Sequence, residues 1–241
     1  MRDYALELKN RVNFIREKLK ESGASGIVFG NSGGKDSALV GILCRQACDN
    51  VLGVIMPCEA KRNFGEDMDD GLKVAKQFNI DNITVDLTET KKNLCAQIEN
   101  VDSISTQAIK NIAPRLRMTT LYAIGQSKNY LVAGTGNKSE RFMGYFTKWG
   151  DGAFDFNPIA DLTVAEIYEF LEFLGAPENI IKKAPSAGLF EGQTDESEMG
   201  VTYGEIEEYM ATGKCSPEAA AKIEKAHKIS EHKRKMPDIY G

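Results

Sequence analysis

"GIVFGNSGGKDSALVGILC", residues 26–44, decides the fold class. It runs from a short β-branched and aromatic strand through a polar glycine turn into an apolar helix. That succession is the first half of a parallel β–α–β crossover. Gly33 and Gly34 let the backbone turn tightly and aim N–H groups at an anion, and the helix N-terminus behind them adds partial positive charge. Phosphate is the expected guest. The turn is not the nucleoside-triphosphate P-loop, which after four intervening residues needs glycine at position 35 and lysine at 36, whereas Lys35 and Asp36 stand there. A GxGxxG dinucleotide fingerprint is absent as well. In the first helical turn Asp36 is favoured by the helix dipole and placed to hold a Mg²⁺ ion bridging bound phosphates; a plain capping aspartate is the simpler reading of that residue alone.

Outward from this stretch, further strands are expected at "VLGVIMP" from Val51, "NITVDL" from Asn82, "YLVAGTG" from Tyr130 and "FDFNPI" from Phe154. Helical periods fall near 36–48, 66–79, 88–99 and 111–128. Alternating strands and helices predict an α/β fold, a doubly wound, Rossmann-like parallel sheet of about five strands with helices on both faces. Thr163 with Glu166 forms a capping box for a helix, and Ser216 with Pro217 opens another. Residues 186–200, glycine-rich and acidic without a period, are expected to form a loop or lid. From Lys222 to Lys235 six lysines and arginines face only Glu224 and Glu231. Without repeats or linkers, residues 1–241 are expected to form one domain.

Composition narrows the function. The chain of 241 residues is 42% hydrophobic and 27% charged, and no run of about 18 apolar residues occurs, so a membrane span is not expected. The start, "MRDYALELKNRVNFIREKLKES", has helical spacing rather than a signal peptide's apolar core, and a cytoplasmic protein is the expectation. Five cysteines without CxxC spacing are expected to be reduced, with Cys44 and Cys48 as core thiols. Two histidines, His227 and His232, leave little for histidine metal sites or triads, and a net charge of −5 argues against general nucleic-acid binding.

"SGGKDS", residues 32–37, resembles the SGGxDS loop of the PP-loop ATP pyrophosphatases, which split ATP between its α and β phosphates. Three longer segments resemble the ammonia-dependent NAD synthetases within that class: "GTGNKSERFMGYFTKWGDGAFDFNPIADL" from Gly134, "KKAPSAGLFEGQTDESEMGVTYGEIEEY" from Lys182 and "EHKRKMP" from Glu231. The similarity extends over nearly the whole chain. It implies an AMP-forming C–N ligase with an adenine nucleotide alpha hydrolase-like domain, using ATP, Mg²⁺, ammonia and deamido-NAD. The nicotinate carboxylate attacks ATP, pyrophosphate leaves, and ammonia displaces AMP from the NAD-adenylate to give NAD. No general acid or base is obvious, so positioning and electrostatics would supply most of the acceleration.

Carried over residue by residue, the resemblance places Gly30, Asn31, Ser32, Gly33, Gly34, Lys35, Asp36 and Ser37 around the triphosphate, with Thr135 and Ser186 also meeting ATP. Asp36 and Glu140 would hold Mg²⁺. Arg115, reached across a homodimer contact, and Lys148, Asp155, His232 and Lys233 would meet deamido-NAD, while Arg117 would face elsewhere on its helix. Trp149 is expected either to stack on a base or to serve the turn. Ser186 replaces a common threonine mildly. Val164 stands where an ATP-contacting lysine is usual, and Lys35, Lys182 or Lys183 are the candidates to replace its charge. No fused glutamine-hydrolysing domain fits this length, so the nitrogen is expected as ammonia. The alternatives are a PP-loop enzyme acting on another substrate, as in GMP synthetase, and a nucleotide-binding protein with catalysis reduced by Val164.

Overall fold

The computed structural model describes residues 2–60, 64–183 and 194–240. Helix α1 (Tyr4–Ser22) starts where the Asp3 side chain accepts the Leu6 N–H and ends at left-handed Gly23. Strand β1 (Gly26–Gly30) follows, then α2 (Lys35–Ala47), β2 (Val51–Ile55), α3 (Glu66–Phe78), β3 (Asp81–Thr84), α4 (Thr88–Glu99), α5 (Thr106–Lys128) and β4 (Tyr130–Ala133). All four strands run parallel in the order β3–β2–β1–β4.

Alternation along β1 assigns its side chains to two cores, as a period of two requires. Ile27 and Phe29 join α1, α2 and α7 (Val164–Phe173) through Ile15, Leu39, Ile42 and Phe170. Val28 points the other way, with Leu52, Val54 and Val132, against Ala113, Leu116 and Leu121 of α5. The helix around Leu121 and Ile124 therefore packs within this chain's own core. Each Ile, Leu or Phe buried in these layers contributes about 1.5–3 kcal/mol of transfer free energy.

Among the described residues the sheet has four strands, not about five. The expected strand from Phe154 is reduced to a single bridge, Phe156 beside Ala133. Asp155 N donates to Val132 O and Gly134 N to Phe156 O, but the Val132 N–H is taken by the Asp155 carboxylate at 2.7 Å. The ladder ends there because Pro158 has no N–H to donate and Asn157 Oδ1 caps Ile159 N.

Helix α5 begins at Thr106, earlier than its apolar period suggests, because the Ser105 side chain accepts the Ala108 N–H and caps it. After β4 come α6 (Lys138–Met143), α7, α8 (Glu178–Ile181), α9 (Asp195–Met199), α10 (Tyr203–Thr212), α11 (Pro217–Ile229) and α12 (Glu231–Arg234). The capping box at Thr163 and the Ser216 cap with Pro217 both form. The acidic end of the expected loop is helical: Thr194 caps α9, whose first turn carries Asp195, Glu196 and Glu198 where the helix dipole favours them. Residues 184–193 lie outside the described residues. A third apolar cluster, with Met143, Val164, Tyr203, Ile206 and Ile223, joins α10 and α11 to α6. Among the described residues no helix is long and apolar enough to cross a membrane.

Candidate active site

The order β3–β2–β1–β4 reverses direction of progress between β1 and β4, so the turns leaving those two strands diverge at their carboxyl ends. Open α/β sheets bind ligands at such a point. A cavity of about 610 Å³ opens there, walled by residues 30–32, 34–37, 134–136 and 143–146, by Gly150, Asp151 and Ala153, and by the inner face of α5, α9 and Lys233.

One end of the cavity is the 31–37 turn. Gly33 is left-handed, with φ 69°, and a Cβ there would collide with the Asp67 carbonyl of α3. Only glycine therefore lets the turn lie this close to α3. Buried Asn31 donates Nδ2 to Gly71 O and Asn82 Oδ1, which ties the turn to α3 and to β3. Ser32 Oγ and Ser37 Oγ lie 3.1 Å apart, and Ser37 Oγ donates to Gly34 O. Gly34 caps α2 with extended backbone and without a side-chain hydrogen bond. The helix dipole is thus presented to the cavity at a spot suited to an anion.

The acidic pair sits just inside. Asn137 is fully buried; its Nδ2 donates to Asp36 Oδ1 at 3.1 Å and its backbone N–H to Glu140 Oε2 at 3.0 Å, so a single residue aims both carboxylates. Burial and the adjacent Asp36 push the Glu140 carboxyl well above the usual carboxylate range, against the pull of Lys35. Lys35 is itself buried, with Nζ 2.7 Å from Asp36 Oδ2. Burial disfavours its ammonium, yet Asp36 and Glu140 outweigh that and raise it above its ordinary value. Two carboxylates held by one asparagine would suit a hard divalent cation that also takes oxygen donors from phosphate and water. Among the described residues no cluster of three or more His, Cys, Asp or Glu could hold a metal by itself.

The far end is built from distant segments. Arg117 of α5 lines the cavity and donates Nε to Met56 O, and burial pulls its guanidinium below the usual range. Lys233 donates Nζ to Gly144 O and Phe146 O, each at 2.8 Å, and burial lowers its ammonium too. Asp151 opens to the cavity, yet the surrounding protein desolvates its carboxyl and pushes it up; its Oδ1 accepts the Thr147 N–H. Anions at one end, and cations with a desolvated acid at the other, suit a nucleotide and a second, acidic substrate.

Residues 7–237 match the profile of the NAD synthase family. The chain belongs to the NAD synthase family. It is 47% identical over 231 residues to the NH(3)-dependent NAD(+) synthetase of Carboxydothermus hydrogenoformans, covering 95% of this chain and 94% of that protein. Among solved structures, the NMN synthetase from Francisella tularensis superposes with a TM-score of 0.94 at 35% identity, covering 100% of this chain and 99% of that one. The NH3-dependent NAD synthetase from Campylobacter jejuni superposes with a TM-score of 0.82 at 32% identity over 100% of both chains.

Within this NAD synthase fold, Gly30, Asn31, Ser32, Gly34, Lys35, Asp36, Ser37, Thr135, Glu140 and Lys233 all line the one cavity. Other expected residues stand elsewhere. Of the two arginines in "PRLRM", Arg117 faces the cavity, whereas Arg115 lines a separate surface depression with Ile98 and Ile104. Two positions on a helix differ by about 200°, so only one can look inward. Asp155 spends its carboxylate on Val132 N and the Tyr122 hydroxyl at the sheet edge. Lys148 Nζ donates to His232 O, and the His232 side chain is exposed. Trp149 is exposed and left-handed, with φ 62°. Val164 is buried among apolar side chains, and its N–H donates to Glu207 Oε1 at 2.8 Å. Lys182 pairs outside with Glu178, and Lys183 is bound to Asp67, Asp70 and Gly33 O, which leaves Lys35 as the cation beside the acidic pair. Ser186 lies outside the described residues. Asn137, Asp151 and Arg117 were missed; only Asn137 had a signal, as the cap three residues before Glu140.

Proposed function

We propose that this chain, a single domain over 1–241, joins ammonia to the nicotinate carboxylate of deamido-NAD at the expense of ATP, giving NAD, AMP and pyrophosphate. The observation that carries this reading is the aimed pair Asp36 and Glu140 at the mouth of the α2 N-terminus, inside a cavity with a cationic far end. Family membership and the curated relatives named NH(3)-dependent NAD(+) synthetase support it.

In this reading the 31–37 turn and the α2 N-terminus receive the β and γ phosphates, with Thr135 at the end of β4 beside them. Asp36 and Glu140 would hold Mg²⁺, which when bound offsets phosphate charge. Arg117 and Lys233 orient the acidic substrate so that a carboxylate oxygen faces the α-phosphorus. That oxygen forms the new P–O bond while the bond to the bridging oxygen breaks and pyrophosphate departs. Ammonia then adds to the acyl carbon, AMP leaves with its electron pair, and the nitrogen loses a proton. Asp151, which lines the far end of the cavity, would accept that proton as the carboxylate. Arg115, Lys148, Ser186 and His232 remain proposed substrate contacts from the resemblance alone, whereas Asp155 and Val164 are taken up by structural partners. A homodimer is part of this reading. Among the described residues helix α4 has no buried side chain, Leu94 on it is 40% exposed, and Arg115 opens on that side, available to a second copy.

The close superposition on an NMN synthetase favours a second reading, in which nicotinate mononucleotide is amidated instead. Incubation with ATP, Mg²⁺, ammonium and each acid in turn tests both. NAD with equimolar AMP and pyrophosphate supports the first; NMN at much higher kcat/KM supports the second; neither product overturns both.

A further inference from the structure

Lys35 occupies the first turn of α2, 5% exposed, with Nζ 2.7 Å from Asp36 Oδ2. The rings of Tyr168 and Tyr203 stand 6.0 and 5.8 Å from the ammonium, close enough to favour a cation on that side. The other Asp36 oxygen accepts from Asn137 Nδ2, and Asn137 also holds Glu140. The counter-ion of the acidic pair is therefore a side chain of the protein itself. A divalent ion entering alone meets two carboxylates, one already bonded to an ammonium and to an amide. No third acid, histidine or cysteine completes a metal cluster among the described residues.

We propose that Lys35 is a tethered counter-ion that opposes divalent metal in the nucleotide-free site and turns to the triphosphate when metal and nucleotide arrive together. This rests on the reading of the cavity as an ATP site. An ammonium displaced within a buried site needs another anion, because an uncompensated buried charge is costly. Lys35 lines the same cavity as the anion-binding turn, so phosphate oxygens offer that anion without the side chain leaving its pocket. Metal and nucleotide then bind with positive coupling, and linkage makes the coupling reciprocal: each tightens the other by the same factor.

The experiment titrates Mn²⁺ into the full chain, reading free ion by electron paramagnetic resonance, with and without α,β-methylene-ATP, in wild type, Lys35→Met and Lys35→Arg. The expected result is that Lys35→Met binds Mn²⁺ alone about 10-fold or more tightly than wild type, while the tightening of Mn²⁺ by nucleotide shrinks by a similar factor. Lys35→Arg keeps the charge and should behave as wild type without nucleotide. If Lys35→Met unfolds, as shown by its melting curve, Lys35→Gln takes its place with the same expectation. Unchanged or weaker Mn²⁺ binding by the uncharged variants overturns the proposal. Wild type that fails to bind the analogue with Mn²⁺ at all overturns the ATP-site reading instead, so the two failures are distinguishable.

Discussion

The two ends of the cavity are built in different ways. At the phosphate end, Asn31 to Ser37 come from one turn of chain, and Gly33, Asn31 and the serines hold it by bonds within the turn or to α3 and β3. At the far end, Arg117, Asp151 and Lys233 come from three segments and are held largely by backbone partners: Met56 O, Thr147 N, Gly144 O and Phe146 O. A local motif fixes charge geometry with few residues. A composite wall leaves its side chains to be chosen by packing.

Replacing groups at each end should give different kinetic signatures. Asp36→Ala should cut amide formation about a thousandfold, the several kcal/mol that metal-held charge supplies, and lower the melting temperature because buried Lys35 loses its partner; a steady-state assay of AMP release checks it. At the far end, Arg117→Met should raise KM for the acid substrate about 10- to 100-fold, as loss of a charged hydrogen bond implies, and leave KM for ATP nearly unchanged. If the proposed homodimer forms, Arg115→Met should lower activity only at protein concentrations where the dimer is populated, and its effect should vanish on dilution. Equal KM changes for ATP and acid in Arg117→Met would erase the distinction between the ends.

Smaller effects sharpen the boundary. Asp155→Ala should cost about 1–3 kcal/mol in urea unfolding, because it orphans the Val132 N–H, with both KM values unaltered. A raised KM for the acid at unchanged stability would instead make Asp155 a substrate contact. The smallest change is expected for Asp70→Asn beside the phosphate turn. Burial pushes the Asp70 carboxyl up, but Lys183 and Asn179 outweigh it, so its folded value lies below the ordinary 3.8. A lowered carboxyl contributes stability that is present above about pH 4 and is lost as pH falls through the folded value. Asp70→Asn should therefore lose about 1 kcal/mol at pH 7 and show a shallower acid limb in stability against pH.

Much of the phosphate end was legible because its residues are neighbours in sequence. The strand, Gly33–Gly34 and Asp36 follow each other, and a helix N-terminus points where its first residues stand. Glu140 required the resemblance, but Asn137 could have been read from the capping box alone. The Phe154 segment misled because alternation reports a half-buried strand without reporting that Asp155 would take a ladder hydrogen bond and Pro158 would end it. Nor can Arg115 and Arg117 be told apart before α5 docks, since the rotation of a helix about its axis is set by what it packs against. Val164 likewise became a core residue only when α10 brought Tyr203 and Ile206 over it and Glu207 to its N–H.

By itself the sequence determined the layer order, the glycine turn ahead of α2 and the first carboxylate of the acidic pair, because local backbone preferences and side-chain periodicity act over a few residues. Tertiary structure alone decided which arginine faces inward, where the sheet stops, and that a lysine neutralises the acidic pair. Those outcomes depend on distances between segments a hundred residues apart, and such distances exist only after the two cores have closed around the sheet.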